Sequence, residues 1–332
     1  MVANKIILSP EQEAAIRHSR GHLRIIACPG SGKTETVSRR VAKLVKSGVE
    51  PSTIVAFTFT VKAADELKGR IRGILETECR EKSDVGDMYV GTIDSFCLYM
   101  LKKISPKYKN FEVLDDARRY AFLDRWYFKI GLPDIQGDES KSRTISKFQN
   151  SIDMVLTEGI DTSDISNKGF TECFTRYREM LKEQRFFDFA SVIRTFIDLL
   201  GSDADVLKQV NDEVKHVVFD EYQDVNLPQE RMLELLSKGA ESVCVVGDDD
   251  QNIFQWRGSD VGHIRDFPEK YKAYGVTTEM LEINYRATGA LVGMAGRLIG
   301  HNTNRVGKEM RPHVGQHNTF EHGDIFHRHF GT

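Results

Sequence analysis

The sequence predicts an α/β protein in which helices cover both faces of a parallel β-sheet. Two observations indicate this class. Short apolar runs rich in β-branched residues alternate with longer amphipathic stretches, as strands and helices do around a parallel sheet. The first of these runs also leads through a glycine-rich loop directly into a helical pattern. The apolar runs are LRIIA, STIVAFTFT, HVVFD, SVCVVG and MLEIN.

Helical patterns follow the first strands in order. A helix is predicted from Lys33 to Ser47, ended by Gly48, and another from Lys62 to about Glu78. Residues 102–185 mix aromatic and charged side chains without a convincing apolar run up to Gln184, which predicts a mostly helical insertion. A helix in FDFASVIRTFIDLL and a strand in HVVFD then resume the pattern. One α/β domain is therefore expected in two parts, 1–101 and 186–284, around an insertion at 102–185.

The composition excludes several classes of protein. The formal net charge of -3 argues against a chain that binds nucleic acid through bulk positive charge. The five cysteines are scattered and form no C-x-x-C pair, which argues against a disulfide framework or a zinc site and favours a reducing cytoplasm. No apolar run approaches the roughly 18 residues of a membrane span, and no signal peptide is visible. A cytoplasmic protein with no membrane partner is expected.

The stretch IIACPGSGKTET predicts a phosphate-binding loop. Gly32, Lys33 and Thr34 occupy the fixed places of the Walker A pattern, and Ala27 stands at its first glycine. Gly30 and Gly32 can adopt positive φ, so that backbone N–H groups face an anion, and Thr34 offers a hydroxyl to Mg²⁺. An ordinary glycine-rich turn is the alternative. The predicted nucleotide contacts of this loop are Pro29, Gly30, Ser31, Gly32, Lys33, Thr34 and Glu35.

Two acids end the strand in VVFDEYQD. Asp220 is predicted to hold Mg²⁺, and Glu221 to act as the general base toward an attacking water. Two acids after a strand are by themselves more often a solvated loop, but a phosphate loop in the same chain favours the catalytic interpretation. The sequence therefore predicts a site for ATP and Mg²⁺.

The stretch VVGDDDQNIFQWRG combines acids with aromatic residues. Gln251 is predicted to sense a γ-phosphate, and Phe254 and Trp256 are predicted to stack on unpaired bases, with Arg257 beside them. The alternative places both aromatic side chains in the core. A loop rich in Gly, Asp and Asn makes full burial the weaker interpretation.

Six motifs in order resemble those of the UvrD/Rep/PcrA-like superfamily 1A DNA helicases: ACPGSGKT, AFTFTVKAADEL, GTIDSFC, VVFDEYQD, VVGDDDQNIFQWRG and LEINYRATG. The matches extend from Leu8 to about Ile299. This resemblance implies a RecA-like P-loop NTPase domain and ATP-driven movement along single-stranded DNA, usually 3′ to 5′. Single-stranded DNA, or DNA with a single-stranded tail, is the implied substrate.

The resemblance also assigns residues outside the phosphate loop. Gln12 matches the adenine-reading glutamine, Tyr285 the adenine-stacking tyrosine and Arg286 an arginine that reaches the γ-phosphate. Ser9, Pro10 and Gln12 also fit a capping box at a helix start, which is a compatible alternative. The implied DNA contacts are Thr58, Phe59, Thr60, Thr92 and Ser95, besides Phe254, Trp256 and Arg257.

Two residues depart from the family pattern near the implied DNA path. Val61 stands where asparagine is common, and Asp94 stands where histidine is common. An acid at position 94 is expected to weaken contact with phosphates.

Residues 285–332 resemble only the start of a second motor domain, so we expect an N-terminal fragment whose ATP hydrolysis is poor on its own. We also expect a partner protein, which is either a subunit that supplies the second motor domain or a nuclease. The alternative is a nucleotide-gated DNA-binding or regulatory subunit without motor activity, and a small-molecule kinase fits less well. The tail also holds six of the ten histidines, for which solvated surface is a better interpretation than a metal site.

Overall fold

The computed structural model describes residues 7–79 and 85–313, and it is organised around a six-stranded, all-parallel sheet. The strands are β1 His22–Ala27, β2 Ile54–Phe57, β3 Tyr89–Gly91, β4 Glu112–Leu114, β5 Phe186–Asp188, β6 His216–Phe219, β7 Ser242–Gly247, β8 Val276–Leu281, β9 Ile283–Asn284 and β10 Arg311–Pro312. The strand order of the central sheet is β3-β2-β6-β7-β1-β8. Two further two-stranded sheets, β4-β5 and β9-β10, lie outside it.

Fourteen α-helices are present in the described part of the chain. The described helices include none that is both long and apolar enough to cross a membrane. The helices are α1 Pro10–Arg17, α2 Lys33–Lys46, α3 Val61–Ile74, α4 Ile93–Ile104, α5 Asp116–Arg125, α6 Tyr127–Ile130, α7 Pro133–Gln136, α8 Lys141–Thr157, α9 Lys168–Glu183, α10 Phe189–Ser202, α11 Ala204–Glu213, α12 Leu227–Ser237, α13 Gly262–Lys270 and α14 Gly289–Ile299.

The inner strands of the central sheet are buried on both faces. Every residue of β2, β6 and β7 is buried, as expected when helices cover a parallel sheet on both sides. One core forms on the face covered by α4, α10, α12 and α13, and a second on the face covered by α2 and α3. The predicted α/β class with a central parallel sheet is confirmed.

The insertion has a hydrophobic core of its own, formed by side chains of α5 to α9 together with Leu114 and Phe186. It also holds one short strand, because Glu112–Leu114 pairs in parallel with Phe186–Asp188, which directly follows the insertion. Three residues are too few to display the alternation that marks a strand in a sequence. The short sheet joins the start and the end of the insertion.

Several boundaries differ from the expected ones. The helix expected from Lys62 begins at Val61 and ends at Ile74, and a π-helical turn continues to Cys79. The run MLEIN is divided between β8 and β9, and β9 leaves the central sheet to pair with β10. Among the six tail histidines, those at positions 317, 322, 327 and 329 lie outside the described residues.

The sheet brings the sequence motifs to one edge. The carboxyl ends of parallel strands meet at the same side of a sheet, where α/β proteins bind ligands. Here β6, β7, β1 and β8 are neighbours, so the segments after residues 27, 219, 247 and 281 converge there. The segments after β2 and β3 lie farther along the same edge.

Candidate functional site

The loop after β1 forms a cradle that only glycine permits at two positions. Gly30 has φ 67° and Gly32 has φ 82°. A Cβ atom on Gly30 would lie 2.8 Å from the Cβ of Arg286, and one on Gly32 would lie 2.7 Å from the Nε2 of Gln12. The hydroxyl of Ser31 is buried without a hydrogen-bond partner among the described residues. This open cradle with an unused hydroxyl fits a phosphate group.

Lys33 begins α2 and points to the acids that follow β6. Its Nζ donates to the Oε2 of Glu221 at 3.2 Å, across 188 positions of sequence. Asp220 is buried, and its Oδ1 accepts from the backbone N–H of Glu221 at 3.0 Å. The predicted phosphate loop and the predicted acidic pair therefore form one site.

Glu221 has an unusual backbone conformation. Its φ of 55° and ψ of 43° are left-handed, which is uncommon for a residue other than glycine and is concentrated at functional sites. Its carboxylate also accepts from the Nε2 of Gln223 at 3.0 Å. Lys33 and Gln223 thus orient this carboxylate from two sides.

Burial weakens the acidity of two carboxyl groups in this site. The pKa of Asp220 is raised from 3.8 to about 6, first by burial and then by the charge of Glu221, against a smaller opposing effect of Lys33. Burial and the charge of Glu221 likewise raise the pKa of Asp224 to about 6. A buried, crowded carboxylate gains from a divalent cation, so Asp220 fits the predicted Mg²⁺ ligand.

Gln251 is held by the loop after β7. Its Nε2 donates to the Oδ2 of Asp248 at 2.7 Å. The backbone N–H of Asp248 donates in turn to the Oε1 of Gln223 at 3.0 Å. The predicted γ-phosphate sensor is therefore linked to Glu221 through Asp248 and Gln223, two residues that sequence reasoning missed.

Gln12 joins α1 to the phosphate loop. Its Oε1 accepts from the backbone N–H of Ser9 at 2.8 Å, while its own N–H donates to the Oγ of Ser9 at 3.2 Å. Its Nε2 donates to the carbonyl of Ser31 at 2.9 Å. The capping box considered as an alternative is confirmed, and the adenine contact stays a prediction.

The segment after β9 closes the cradle from the other side. The backbone N–H of Tyr285 donates to the carbonyl of Gly30 at 2.9 Å, and the side chain of Arg286 is exposed. Asn284 is buried; its Nδ2 donates to the carbonyl of Pro29 at 2.8 Å, and its Oδ1 accepts from the backbone of Arg286 at 2.8 Å. Sequence reasoning missed Asn284, although it directly precedes the predicted pair.

The two remaining predicted nucleotide contacts lie in the first turn of α2. The carboxylate of Glu35 accepts from Nε of Arg39 at 2.7 Å and lies 3.6 Å from Nη1 of Arg70. The carbonyl of Thr34 accepts from the hydroxyl of Ser38 at 2.6 Å. Glu35 is thus engaged in ion pairs, and Thr34 follows Lys33 at the helix start.

The hydroxyls predicted to contact DNA have structural partners. Thr60 is the N-cap of α3, where its Oγ1 accepts from the backbone of Ala63, and Thr92 is the N-cap of α4. Thr58 is buried and donates to the carbonyl of Thr60 at 3.0 Å. Ser95 accepts from the hydroxyl of Thr92 at 3.0 Å. These hydroxyls stabilise the two helix starts, and their contacts to DNA stay predictions.

The three aromatic residues assigned to DNA lie together. The rings of Phe59 and Phe254 stack with centroids 5.2 Å apart and an interplanar angle of 19°. Trp256 is 73% exposed, and its ring lies 6.4 Å from that of Phe254. The side chain of Arg257 lies outside the described part of the chain. Trp256 is therefore not a core residue, and two separate motifs form one aromatic surface.

The two departures from the family pattern lie in the first turns of two helices, α3 and α4. Val61 is 65% exposed at the start of α3. Asp94 lies in the first turn of α4, where burial raises the pKa of its carboxyl to about 6. A carboxyl with this pKa is still mostly ionised at neutral pH, so the weaker contact with phosphates expected at position 94 stays a prediction.

Comparisons with known proteins agree with this geometry. A family model described as the UvrD/REP helicase N-terminal domain matches residues 8–272. The chain is 32% identical over 311 residues to the ATP-dependent DNA helicase PcrA of Leuconostoc citreum, covering 91% of this chain and 40% of that protein. It is 31% identical over 320 residues to PcrA of Bacillus subtilis (strain 168), with 93% and 42% covered. The chain spans about two fifths of the length of these curated relatives.

Proposed function

This chain belongs to the UvrD/REP helicase family, and from that membership we propose that it is the first motor part of an ATP-driven DNA translocase. It binds ATP with Mg²⁺ and single-stranded DNA, or DNA with a single-stranded tail, and the direction of movement is 3′ to 5′. The hydrogen bond between Lys33 and Glu221 carries this proposal, because it joins the phosphate loop and the acidic pair in one site.

The residues of the cradle have distinct roles in this proposal. Lys33 holds the β- and γ-phosphates, Thr34 and Asp220 hold Mg²⁺, and Glu221 accepts a proton from the attacking water. The bound Mg²⁺ supplies positive charge that balances the phosphates. Gln251 senses the γ-phosphate, and Arg286 stabilises the charge of the transition state. Gln12 and Tyr285 bind adenine.

DNA lies across the aromatic surface of Phe59, Phe254 and Trp256 in this proposal. Aromatic stacking binds unpaired bases without regard to sequence, which suits a protein that moves along a strand. Thr60 and Thr92 support the surface by starting α3 and α4 beside it. The aromatic surface and the nucleotide site are linked because Gln251 and Phe254 belong to the same loop.

We divide the chain into a motor domain of 1–101 and 186–284, a helical insertion of 102–185, and the beginning of a second motor domain at 285–332. The separate core of the insertion supports this division. The exposed Arg286 and the exposed apolar face of α14 at Leu291, Met294 and Leu298 support a further protein segment there. A partner subunit can supply it, and the described part alone hydrolyses ATP slowly. The cytoplasm is the proposed location.

Hydrolysis of ATP with and without single-stranded DNA tests this function. The Glu221→Gln variant keeps the shape of the side chain and removes the base, so it should bind ATP while its hydrolysis falls about 100-fold or more. Glu269→Gln, at an exposed glutamate on α13, is the control and should hydrolyse ATP as the wild type does. Unchanged hydrolysis in Glu221→Gln would contradict the assignment.

The same measurement separates a motor from a nucleotide-gated binding subunit. A motor couples DNA to hydrolysis, so single-stranded DNA should increase the wild-type rate. Binding of both ligands without any stimulation would favour a regulatory subunit of a repair or defence complex, which acts without motor activity.

A further inference from the structure

Residues 304–312, here called the strap, return from α14 to the loop after β7. The Nζ of Lys308 lies 3.0 Å from the Oδ1 of Asp248 and 2.9 Å from the Oδ2 of Asp250, and it also contacts Asp249. The side chain of Lys308 is only 1% exposed. One buried ammonium group therefore contacts three consecutive aspartates.

Other contacts fix the strap at the same place. The Nε of Arg305 donates to Asp250 at 2.9 Å, and the backbone N–H of Val306 donates to Asp249 at 2.6 Å. Farther along, the backbone N–H of Glu309 donates to Glu282 at 2.8 Å. The strap is thus held by side-chain and backbone bonds along its length.

The positive charge of Lys308 and the negative charges of the three aspartates stabilise one another in this buried cluster. Oxygen atoms of the three aspartates lie within 4.8 Å of one another, a spacing that a divalent cation could bridge. Here the ammonium of Lys308 is in contact with all three carboxylates, so the cluster has an internal cation. Burial alone would lower the pKa of Lys308, but the three carboxylates outweigh it and raise that pKa. Removing this cation would leave Asp248 and Asp249 without the ion pair that they have here, whereas Asp250 would keep Arg305, and a buried carboxylate without a cation is costly.

We propose that Lys308 is a positioning residue for Gln251, the γ-phosphate sensor of the proposed function on which this inference rests. Asp248 accepts from Gln251 through Oδ2 and contacts Lys308 through Oδ1. Lys308 therefore holds the carboxylate of Asp248 in place, and that carboxylate orients the amide of Gln251. The strap, which follows α14, acts in this way on a group of the nucleotide site.

If Lys308 positions Gln251, its loss should change how strongly the chain prefers a triphosphate to ADP. Without Lys308, repulsion among the aspartates displaces Asp248, and Gln251 loses the partner that holds its amide. ADP has no γ-phosphate and is bound by the rest of the cradle. Loss of Lys308 should therefore weaken binding of a triphosphate while binding of ADP stays the same.

The test compares Mg²⁺-dependent binding of a non-hydrolysable ATP analogue and of ADP to the full chain. Lys308→Met keeps an unbranched side chain and removes its charge, and we expect its preference for the triphosphate to fall about tenfold. The double variant Asp249→Asn with Lys308→Met removes one carboxylate as well, and it should restore most of that preference. Arg311→Gln changes an exposed ion pair of the same strap with Glu282 and is the control.

The outcomes distinguish the two proposals. A wild-type chain that binds the triphosphate no better than ADP would contradict the sensor and hence the proposed function. A wild-type preference that Lys308→Met retains, or an equal weakening of both ligands, would overturn the role of Lys308 alone. If Lys308→Met does not fold, Arg305→Gln loosens the strap at a less buried group. It should then lower the triphosphate preference in the same direction, and an unchanged preference would overturn the inference.

Discussion

His22, at the start of β1, is a single residue whose burial makes stability depend on pH. It is 1% exposed, its ring stacks on Tyr274 at 4.7 Å, and neither ring nitrogen has a hydrogen-bond partner among the described residues. Burial, and secondarily the charge of His18, lowers the pKa of His22 from 6.5 to about 4. The folded state therefore binds fewer protons than the unfolded state between these values. Stability that is present at neutral pH is lost as the pH falls through this window.

Replacing His22 with Phe should remove this acid sensitivity. The free energy of unfolding of the wild type should fall by about 2 kcal/mol between pH 7 and pH 5 because of this group, and His22→Phe should lack that fall. Denaturant unfolding at both pH values measures the difference. The exposed His301→Phe is the control, and it should follow the wild type. An equal loss of stability in His22→Phe and the wild type would contradict the assignment to His22.

Single residues of the site were predictable to the extent that they belong to a local pattern. Lys33 and Glu221 each stand in a short motif whose chemistry is visible without the fold. The roles of Asn284 and Lys308 could not be predicted in this way, because an amide and an ammonium group have no chemical signature of their own and their partners lie 255 and 59 positions away in the chain. An amide or an ammonium group acquires its function here only from contacts that the fold creates.

Helix α1 is an element whose start contacts the loop that we propose to bind a nucleotide. Its N-cap Ser9 fixes the first turn that carries Gln12, and Gln12 donates to the phosphate loop. The start of α1 therefore orders Gln12, which we propose to bind adenine.

The change Ser9→Ala tests that connection. It should lower the free energy of unfolding by about 1 kcal/mol through loss of the cap and should weaken ATP binding severalfold. Ser140→Ala removes the N-cap of α8 in the insertion and should cost a similar amount of stability. ATP affinity, measured by titration, should stay at the wild-type value in Ser140→Ala. Equal ATP affinities in the two variants would show that α1 has no special role.

The length of a strand determined whether it could be predicted from the sequence. The strands β1, β6 and β7 were predicted because four to six buried residues leave an apolar run. The three-residue strands β3, β4 and β5 leave none, and the two-residue strands β9 and β10 depend on a pairing 28 positions apart, Ile283 with Arg311. Such short strands form because a neighbouring strand completes their hydrogen bonds, which a local pattern does not display.

At the scale of the whole molecule, the order of strands in the central sheet determines which segments meet in the candidate site. The sheet order places β6, β7 and β1 side by side, so three distant motifs meet at one edge, where Lys33 contacts Glu221 across 188 positions of sequence. That convergence followed from the class of fold and could be predicted from the sequence. The position of the strap could not, because it follows a strand that leaves the central sheet.

The charge of the whole molecule leads to a prediction about the forces that bind DNA in the proposed function. The net charge is -3, and many surface cations are already paired with acids, as Arg194 is with Asp198 and Lys103 with Glu213. Counterion release by free lysines and arginines is then a smaller part of affinity than stacking on the aromatic surface. Trp256→Ala should weaken binding of a single-stranded oligonucleotide by roughly tenfold, because stacking contributes about 1–3 kcal/mol per base.

The salt dependence of DNA affinity distinguishes the loss of base stacking from the loss of a phosphate contact. Trp256→Ala should leave the slope of log affinity against log salt unchanged, because it removes stacking and no phosphate contact. Phe128→Ala, at an aromatic residue of the insertion that is 82% exposed, is the matched control and should bind as the wild type does. Fluorescence anisotropy at several salt concentrations measures both quantities. A reduced slope in Trp256→Ala would mean that the aromatic surface orders phosphate-binding cations rather than bases. An unchanged affinity would place the DNA path elsewhere on the molecule.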